Sequence, residues 1–427
     1  MHSRLFRHFW IIPASTLVLF LTVAHLCLYL DQVRNFSASM MLWHVQSLTG
    51  AHDLVYAVAA SMYTFVASTF TISIAALSFA SRDMGPRLLE DFTQDWRSQL
   101  TLGVLLGTFG FNLWTIAAIQ STPATDPVPL LTVNVAVLLA YLSAGFLIMF
   151  IYLMTQAMNI TALVNRLGRT LHETIMDVSD TLPPMTCPDP SIENPTYIYA
   201  TGAGNLHEIR VEALVKHLQR NDAVLKLRIR PGQYAFPGMV IAECSKPLDL
   251  KPFVRFSDFR KTEHDPEFAV RQINEIAVRS MESGLKDPFT VITCMDRMGS
   301  GLCLLRKRYL RSGVHLDAQG NVRLIQPMVT FGGLIDEMFH LIRQFGSKSP
   351  AITIRMLEVL AVVMEVLDEP EYQEHVLRHA RMVWEAGKAN LSSPEDEQDL
   401  KRRYQAVLRH YRGQGSAPTT QATGQKA

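Results

Sequence analysis

Four long apolar runs dominate the first part of the chain. They cover residues 9–30, 54–80, 100–119 and 130–153, and none of them contains Asp, Glu, Lys or Arg. A helix needs roughly 17–25 residues to cross a bilayer, and each run is long enough. A buried core helix can also be apolar on all sides, but four such helices in succession are typical of a membrane domain. The pattern therefore predicts four transmembrane helices.

The arginines between these runs predict an orientation, because short cytoplasmic loops are enriched in Lys and Arg. Arginines lie before the first run, between the second and third, and after the fourth, whereas the other two loops hold only Arg34. They are Arg4, Arg7, Arg82, Arg87, Arg97, Arg166 and Arg169. The first run exceeds the apolar part of a signal peptide, and no A-x-A cleavage site follows it. We therefore expect a multi-pass protein of the bacterial inner (plasma) membrane with both termini in the cytoplasm.

The second run contains small residues at intervals of three and four positions, which fall on one face of a helix. This hydroxyl stripe consists of Ser61, Thr64, Ser68, Thr71 and Ser78, with Ala75 between the last two. Small residues permit close packing of helices in a membrane. Hydroxyl groups could equally line a neutral, water-filled pore. Both interpretations remain open from the sequence.

The third and fourth runs suggest further helix packing. Gly103, Gly107 and Gly110 lie on nearly one face and predict close approach of another helix. Asn112 and Asn134 fall in the outer halves of adjacent antiparallel helices, where they could bond each other across the interface or contact a substrate. No run has a carboxylate or an Arg in its middle, which argues against a carboxylate proton relay and a voltage sensor.

The composition changes after the fourth run. Residues 1–159 hold six of the 40 basic residues and seven of the 39 acidic ones. The sequence predicts a membrane α-helical domain with four transmembrane helices, followed by a cytoplasmic α+β domain. The expected organisation is a transmembrane domain with a cytoplasmic stalk helix (1–180), a Pro-rich linker (181–195), a small β-rich unit (196–260), a helical unit (261–412) and a disordered tail (413–427).

Apolar periodicity places elements within the second part. Strands are expected over 196–200, 224–230 and 239–244, and the fourth apolar run is expected to continue as one helix to about Val178. The expected helices cover 208–219, 268–281, 289–309, 331–344, 351–367, 371–386 and 394–411. Asp287, Pro288, Phe289 and Thr290 form a helix-start motif, because Asp caps free amides and Pro suits the first turn.

Composition and motifs give little sign of chemistry. The net charge of +1 provides no electrostatic footprint for nucleic acid, and none of the five Cys forms a CxxC pair. Glu371, His375 and His379 have the spacing of three ligands on one helix face, but this spacing is also common on solvated helices. Cys294 and Cys303 are candidate nucleophiles whose alternative role is that of inert core residues. We expect no enzyme, no cofactor and no metal.

Two stretches resemble the DUF2254 family of bacterial predicted membrane proteins. The first comprises residues 85–89 (GPRLL) and 102–109 (LGVLLGTF), and the second comprises 275–279 (EIAVR), 287–291 (DPFTV) and 294–296 (CMD). Residues 232–234 (GQY) and 342–346 (IRQFG) fit the same family. Lys286 stands where members usually have Asn before Asp-Pro. The resemblance implies an integral membrane protein with four spans and provides no activity, cofactor or catalytic residue.

Two functions are consistent with these observations. The first is an oligomeric channel or transport-related protein, in which the hydroxyl stripe lines or frames the pathway and the cytoplasmic module regulates it. The alternative is a membrane-anchored scaffold or sensor, whose cytoplasmic module binds a protein or a small ligand. The expected partners are the lipid bilayer and further copies of the chain, and not nucleic acid.

Overall fold

The computed structural model describes residues 10–33, 43, 45, 47–83, 96–123, 127–157, 159–183, 192, 194–257, 265–282 and 287–414. The arginines at positions 4, 7, 34 and 87, most of the Pro-rich linker and the tail from residue 415 lie outside the described residues. Two compact units divide between Ala162 and Leu163. The first unit consists of helices, and the second mixes helices with sheets.

The first unit contains four helices that are long and apolar enough to cross a membrane, as predicted. They are α1 (Ile11–Val33), α2 (Leu48–Asp83), α3 (Trp96–Ser121) and α4 (Leu130–Ala157). Helix α3 packs against the other three. For this reason 56% of its apolar segment is buried, against 17–22% for the others.

An Asn interrupts the helix that was predicted to run from the fourth apolar run to Val178. Helix α4 ends at Ala157, and α5 (Ile160–Val178) begins after Asn159. The Asn159 side chain accepts a hydrogen bond from the Ala162 N–H at 3.0 Å, as an N-cap does. The prediction of one continuous helix to Val178 is therefore wrong at Asn159. Helix α5 is amphipathic and buries Leu167, Leu171 and Ile175.

The described residues of the second unit form three sheets. A five-stranded sheet has the order β2-β6-β4-β10-β9, in which β4 and β10 run parallel and place Leu225 opposite Leu324. A three-stranded antiparallel sheet has the order β5-β3-β7, and β1 pairs with β8. The strands are β1 (Ser179–Asp180), β2 (Thr196–Tyr199), β3 (Gly204–Ile209), β4 (Leu225–Leu227), β5 (Tyr234–Ala235), β6 (Val240–Cys244), β7 (Val254–Ser257), β8 (Tyr309–Leu310), β9 (Val314–Leu316) and β10 (Val322–Ile325).

Seven further helices are found among the described residues of the second unit. They are α6 (Val211–Arg220), α7 (Pro266–Glu282), α8 (Pro288–Cys303), α9 (Phe331–Gly346), α10 (Pro350–Val366), α11 (Pro370–Asn390) and α12 (Pro394–Gln414). Helix α6 packs Leu214 and Leu218 into a core with Leu206, Leu225 and Leu324 from three strands. Helices α7 and α9 pack against each other and against α8, and α10 packs against α8, α11 and α12.

The strands β8, β9 and β10 lie inside the expected helical unit and were not predicted from the sequence. Helix α8 ends at Cys303 rather than at Tyr309, where β8 begins, and β9 and β10 follow before α9. These strands have two to four residues each, which is too short for an alternating pattern to be recognised. Strand β10 pairs with β4, which lies almost a hundred residues earlier in the chain. The expected division at residue 260 is thus crossed by a shared sheet.

Candidate functional site

The hydroxyl stripe lies on the outer face of α2. Ser61, Thr64, Ser68, Thr71 and Ser78 are all exposed, whereas residues on the opposite side of the helix are buried within the first unit. The hydroxyls of the first two donate to the carbonyl oxygens four residues earlier, at 2.9 and 3.2 Å, and that of Thr71 does so at 3.0 Å. The stripe therefore does not line the interior of the four-helix unit.

The three glycines of α3 lie against α1. A Cβ atom on Gly103 would lie 2.0 Å from Thr16 Oγ1 and 3.1 Å from the Pro13 Cα atom. On Gly107 it would lie 2.8 Å from the Phe20 ring, and on Gly110 it would lie 2.7 Å from the Leu17 side chain. The two helices approach each other so closely that a methyl group would not fit without movement.

The structure does not show a hydrogen bond between the buried residues Asn112 and Asn134, which the sequence had placed within reach of each other. Asn112 donates to the Thr108 carbonyl oxygen at 2.7 Å within its own helix. Asn134 accepts a hydrogen bond from the Trp43 N–H at 3.0 Å and donates to the Trp43 carbonyl oxygen at 3.1 Å. Asn134 therefore fixes a segment between α1 and α2 rather than a neighbouring helix.

Two other polar contacts join the helices of this unit, and the sequence did not indicate either. The Ser143 hydroxyl of α4 donates to the Thr108 hydroxyl of α3 at 2.8 Å. Asp31, at the end of α1, accepts hydrogen bonds from the N–H groups of Leu131 and Thr132 at 3.0 and 2.9 Å. This carboxylate thus caps the amino terminus of α4, where free amides favour negative charge.

The helix-start motif in the second unit is a structural cap. Asp287 accepts hydrogen bonds from the Phe289 and Thr290 N–H groups at 3.0 and 3.3 Å, and from the Thr290 hydroxyl at 2.6 Å. Pro288 is the first residue of α8, as the pattern predicted. Both oxygens of the Asp287 carboxylate thus accept hydrogen bonds from the first turn of α8.

Cys294 and Cys303, the two cysteines of α8, lack the surroundings of nucleophiles. Cys294 is fully buried, and burial raises the pKa of its thiol to about 12. Burial also raises the pKa of the Cys303 thiol. Only the thiolate is a strong nucleophile, and reactive cysteines have a lowered pKa. These two residues therefore have the character of inert core residues.

The expected helix-face arrangement of Glu371, His375 and His379 does not converge. The ring of His375 lies against Gly332 of α9, where an added Cβ would be 2.5 Å from the ring. His379 is directed to Asp336 of α9, with its Nε2 atom 2.7 Å from the carboxylate oxygen. The two histidines thus contact different parts of the same neighbouring helix.

The second unit contains a cleft of about 880 Å³, which we call the polar cleft. Six segments surround it: the end of α5, strand β3, the turn after β4, the start of α7, the link between β8 and β9, and the segment between β10 and α9. Its charged lining residues are Asp177, Glu208, Arg230, Asp265 and Arg311; His207, Gln326, Met328 and Val329 are among the others. The cleft thus presents two guanidinium groups and three carboxyl groups.

A buried ion pair holds one wall of the polar cleft. Arg230 Nη2 lies 2.5 Å from Glu267 Oε2, and the Glu267 side chain is only 5% exposed. Asp265 accepts the Glu267 N–H at 3.0 Å and so caps the start of α7. Because Glu267 lies in the first turn of α7 and pairs with the guanidinium, Arg230 keeps a fixed position at the cleft.

Two lining residues have unsatisfied polar atoms. His207 Nδ1 and Gln326 Oε1 are buried and have no hydrogen-bond partner among the described residues. The Gln326 side-chain nitrogen lies 3.1 Å from His315 Nε2, which fixes the orientation of the amide. Buried polar atoms are normally paired, so an unpaired atom beside a cleft is a position where a ligand or water can bond.

No pattern in the sequence indicated the polar cleft. Its residues come from six segments between positions 176 and 329, and each segment contributes one to four residues. None of these segments contains a recognisable motif.

Comparison with known proteins supports the family resemblance. The family described as predicted membrane protein (DUF2254) matches residues 7–362. An uncharacterized protein of Mycobacterium tuberculosis is 23% identical over 369 residues, which cover 81% of this chain and 70% of that protein. An uncharacterized protein of Mycobacterium bovis has the same identity and coverage. No solved structure is significantly similar to the chain.

Proposed function

This chain belongs to the DUF2254 family of predicted membrane proteins, and on that premise we propose that it is a membrane-anchored receptor for a small polar molecule. The four apolar helices hold the protein in the inner membrane, with both termini in the cytoplasm. The second unit then lies in the cytoplasm, and its polar cleft binds the ligand. This function corresponds to the sensor alternative of the sequence analysis.

The polar cleft is the observation that supports this proposal. Ligand sites in proteins have volumes of roughly 300–1,000 Å³ and a few fixed polar groups, and the cleft of about 880 Å³ falls within this range. It offers Arg230 and Arg311 as donors and Asp177 and Glu208 as acceptors. A ligand with groups of both signs, or with several donors and acceptors, matches this lining best.

The same lining argues against catalysis in the proposed site. The cysteines of α8 do not line the cleft, and burial keeps the thiol of Cys294 protonated at neutral pH. Arg230 is engaged with Glu267, and no nucleophile with an adjacent base is found among the described lining residues. We therefore propose recognition rather than turnover.

Equilibrium dialysis of the purified full chain against a bacterial metabolite extract tests the receptor proposal. Mass spectrometry of the retained small molecules identifies the ligand. The variant Val329→Trp places a large side chain in the cleft, and we expect it to lose the compounds that the wild-type chain retains. Leu341→Trp is the control, because Leu341 is 40% exposed on α9 and does not line the cleft. Equal retention by all three proteins would contradict the proposal.

A second function, that of an oligomeric channel, is favoured by the hydroxyl stripe. Because the stripe is exposed on the outer face of α2, a pathway lined by it would have to form between copies of the chain. Small residues on such a face permit the close approach that assembly requires. In this arrangement the polar cleft would serve as the regulatory site.

Ion or solute flux through liposomes that contain the purified protein tests the channel function, with the mass of the assembly measured in detergent. We expect Ser68→Leu with Thr71→Leu to abolish flux while the assembly persists. Ser15→Leu with Thr22→Leu is the matched control, since these exposed hydroxyls of α1 also bond their own helix. A monomer without flux would contradict this function and leave the receptor proposal intact.

A further inference from the structure

Helices α9 and α11 bring a carboxylate and two imidazoles together. Asp336 and His340 lie one turn apart on α9, and His379 approaches from α11. Asp336 Oδ1 is 2.7 Å from His379 Nε2 and 3.3 Å from His340 Nε2. One ligand atom from each residue lies within 4.8 Å of the other two. These residues, which we call the α9–α11 cluster, lie outside the polar cleft.

The histidines of this cluster are held inside the unit with polar atoms left unbonded. The His379 side chain is fully buried, and Nδ1 of His379 and of His340 is buried without a hydrogen-bond partner among the described residues. The Nε2 atoms of both rings face the Asp336 carboxylate. Imidazole nitrogens are common ligands of divalent transition metals.

Two imidazoles and one carboxylate are a common ligand set for zinc. Ligand bonds of about 2.0–2.2 Å in a tetrahedral site place the ligand atoms roughly 3.3 Å apart. The 2.7 and 3.3 Å separations in the cluster are close to this spacing, so small side-chain rotations suffice. The geometry points to a site in which Asp336, His340 and His379 bind one divalent transition-metal ion, and we propose this site as a feature separate from the receptor function.

A neighbouring arginine modulates the proposed site. Arg378 also pairs with Asp336 Oδ1, and its side chain is 47% exposed. A bound cation takes this oxygen, so the guanidinium must move into solvent when the metal binds. Three protein ligands leave a fourth position for water. The ion would join α9 to α11.

Titration of the purified full chain with Zn²⁺, after treatment with a chelator, tests the proposal. We expect one ion per chain by calorimetry and elemental analysis. With Co²⁺ we expect the intense visible absorption of a four-coordinate site with nitrogen and oxygen ligands. His379→Ala should weaken binding at least tenfold. His340→Gln should do the same and is better tolerated, because His340 is partly exposed.

Arg378→Gln separates a metal site from a structural ion pair. Removing the competing guanidinium should tighten Zn²⁺ binding several-fold, whereas a cluster that serves only as an ion pair gains no affinity. His410→Gln on α12 is the control and should bind as the wild-type chain does. The proposal is overturned if the wild-type chain binds no stoichiometric ion, or if His340→Gln binds it with unchanged affinity and an unchanged Co²⁺ spectrum.

Discussion

Because α1 and α3 approach each other closely, we predict that two chemically identical substitutions differ in their effect on the stability of the first unit. Gly103→Ala places a methyl group 2.0 Å from Thr16 Oγ1 and 3.1 Å from the Pro13 Cα atom. Gly145→Ala, in α4, places the same group where no atom lies within 4 Å. Both changes remove a helical glycine, and the gain of about 1 kcal/mol in helix propensity is therefore common to both.

The difference between the two variants isolates the packing contribution. Thr16 cannot easily turn away, because its hydroxyl bonds the carbonyl oxygens of Ile12 and Pro13 at 2.8 and 2.9 Å. Inserting a methyl group into a well-packed interface costs about 1–3 kcal/mol. We therefore expect Gly103→Ala to be less stable than Gly145→Ala by about this amount.

Alkylation of Cys27 in detergent measures the difference. Cys27 is 7% exposed on α1 and is the sole cysteine of residues 1–162, so its peptide reports opening of the first unit. When the reagent reaches Cys27 only after the first unit opens, the alkylation rate depends on the free energy of opening. The rate then rises about tenfold for each 1.4 kcal/mol by which a substitution lowers that free energy. Adding Thr16→Ala to Gly103→Ala should restore part of the stability, because it removes the nearest atom. Equal rates for Gly103→Ala and Gly145→Ala would refute this account of the interface.

Three further predictions concern the second unit. Asp287→Ala should lower the free energy of unfolding by about 1 kcal/mol, whereas Ser349→Ala, at a cap position without a side-chain bond, should change it little in thermal unfolding. Arg230→Ala should destabilise by about 3 kcal/mol because it leaves the buried Glu267 unpaired. Chemical denaturation should show that Arg230→Met with Glu267→Gln recovers most of this loss. Cys294, with a thiol pKa of about 12, should resist iodoacetamide at pH 8 until denaturant is added, as peptide mass spectrometry would reveal; rapid alkylation of the folded chain would contradict its burial.

The apolar runs and helix starts could be read from the sequence because each depends on neighbouring residues. Four runs without charge predicted four apolar helices, and Asp287 followed by Pro288 predicted the start of α8. The interruption at Asn159 was not predicted, because a single polar residue in an apolar pattern occurs both inside helices and at their ends.

Features that depend on distant pairing could not be predicted in this way. The partner of Asn134 is the backbone of Trp43, 91 positions away, and not the Asn112 that helix geometry favoured. The polar cleft and the α9–α11 cluster likewise join segments that only the folded chain brings together. His379 was noticed in the sequence with Glu371 and His375, but the residues that surround it belong to another helix.

The cap that Asp31 provides for α4 has a consequence for how the protein is made. The ribosome completes α1 about a hundred residues before it synthesises Leu131 and Thr132, whose amides satisfy this carboxylate. Until then the first helix exposes a charged group at its end without its final partner. A nascent chain halted after α3 therefore lacks the amides that bond this carboxylate in the complete unit. Synthesis of the last helix supplies them and ties the end of α1 to the start of α4.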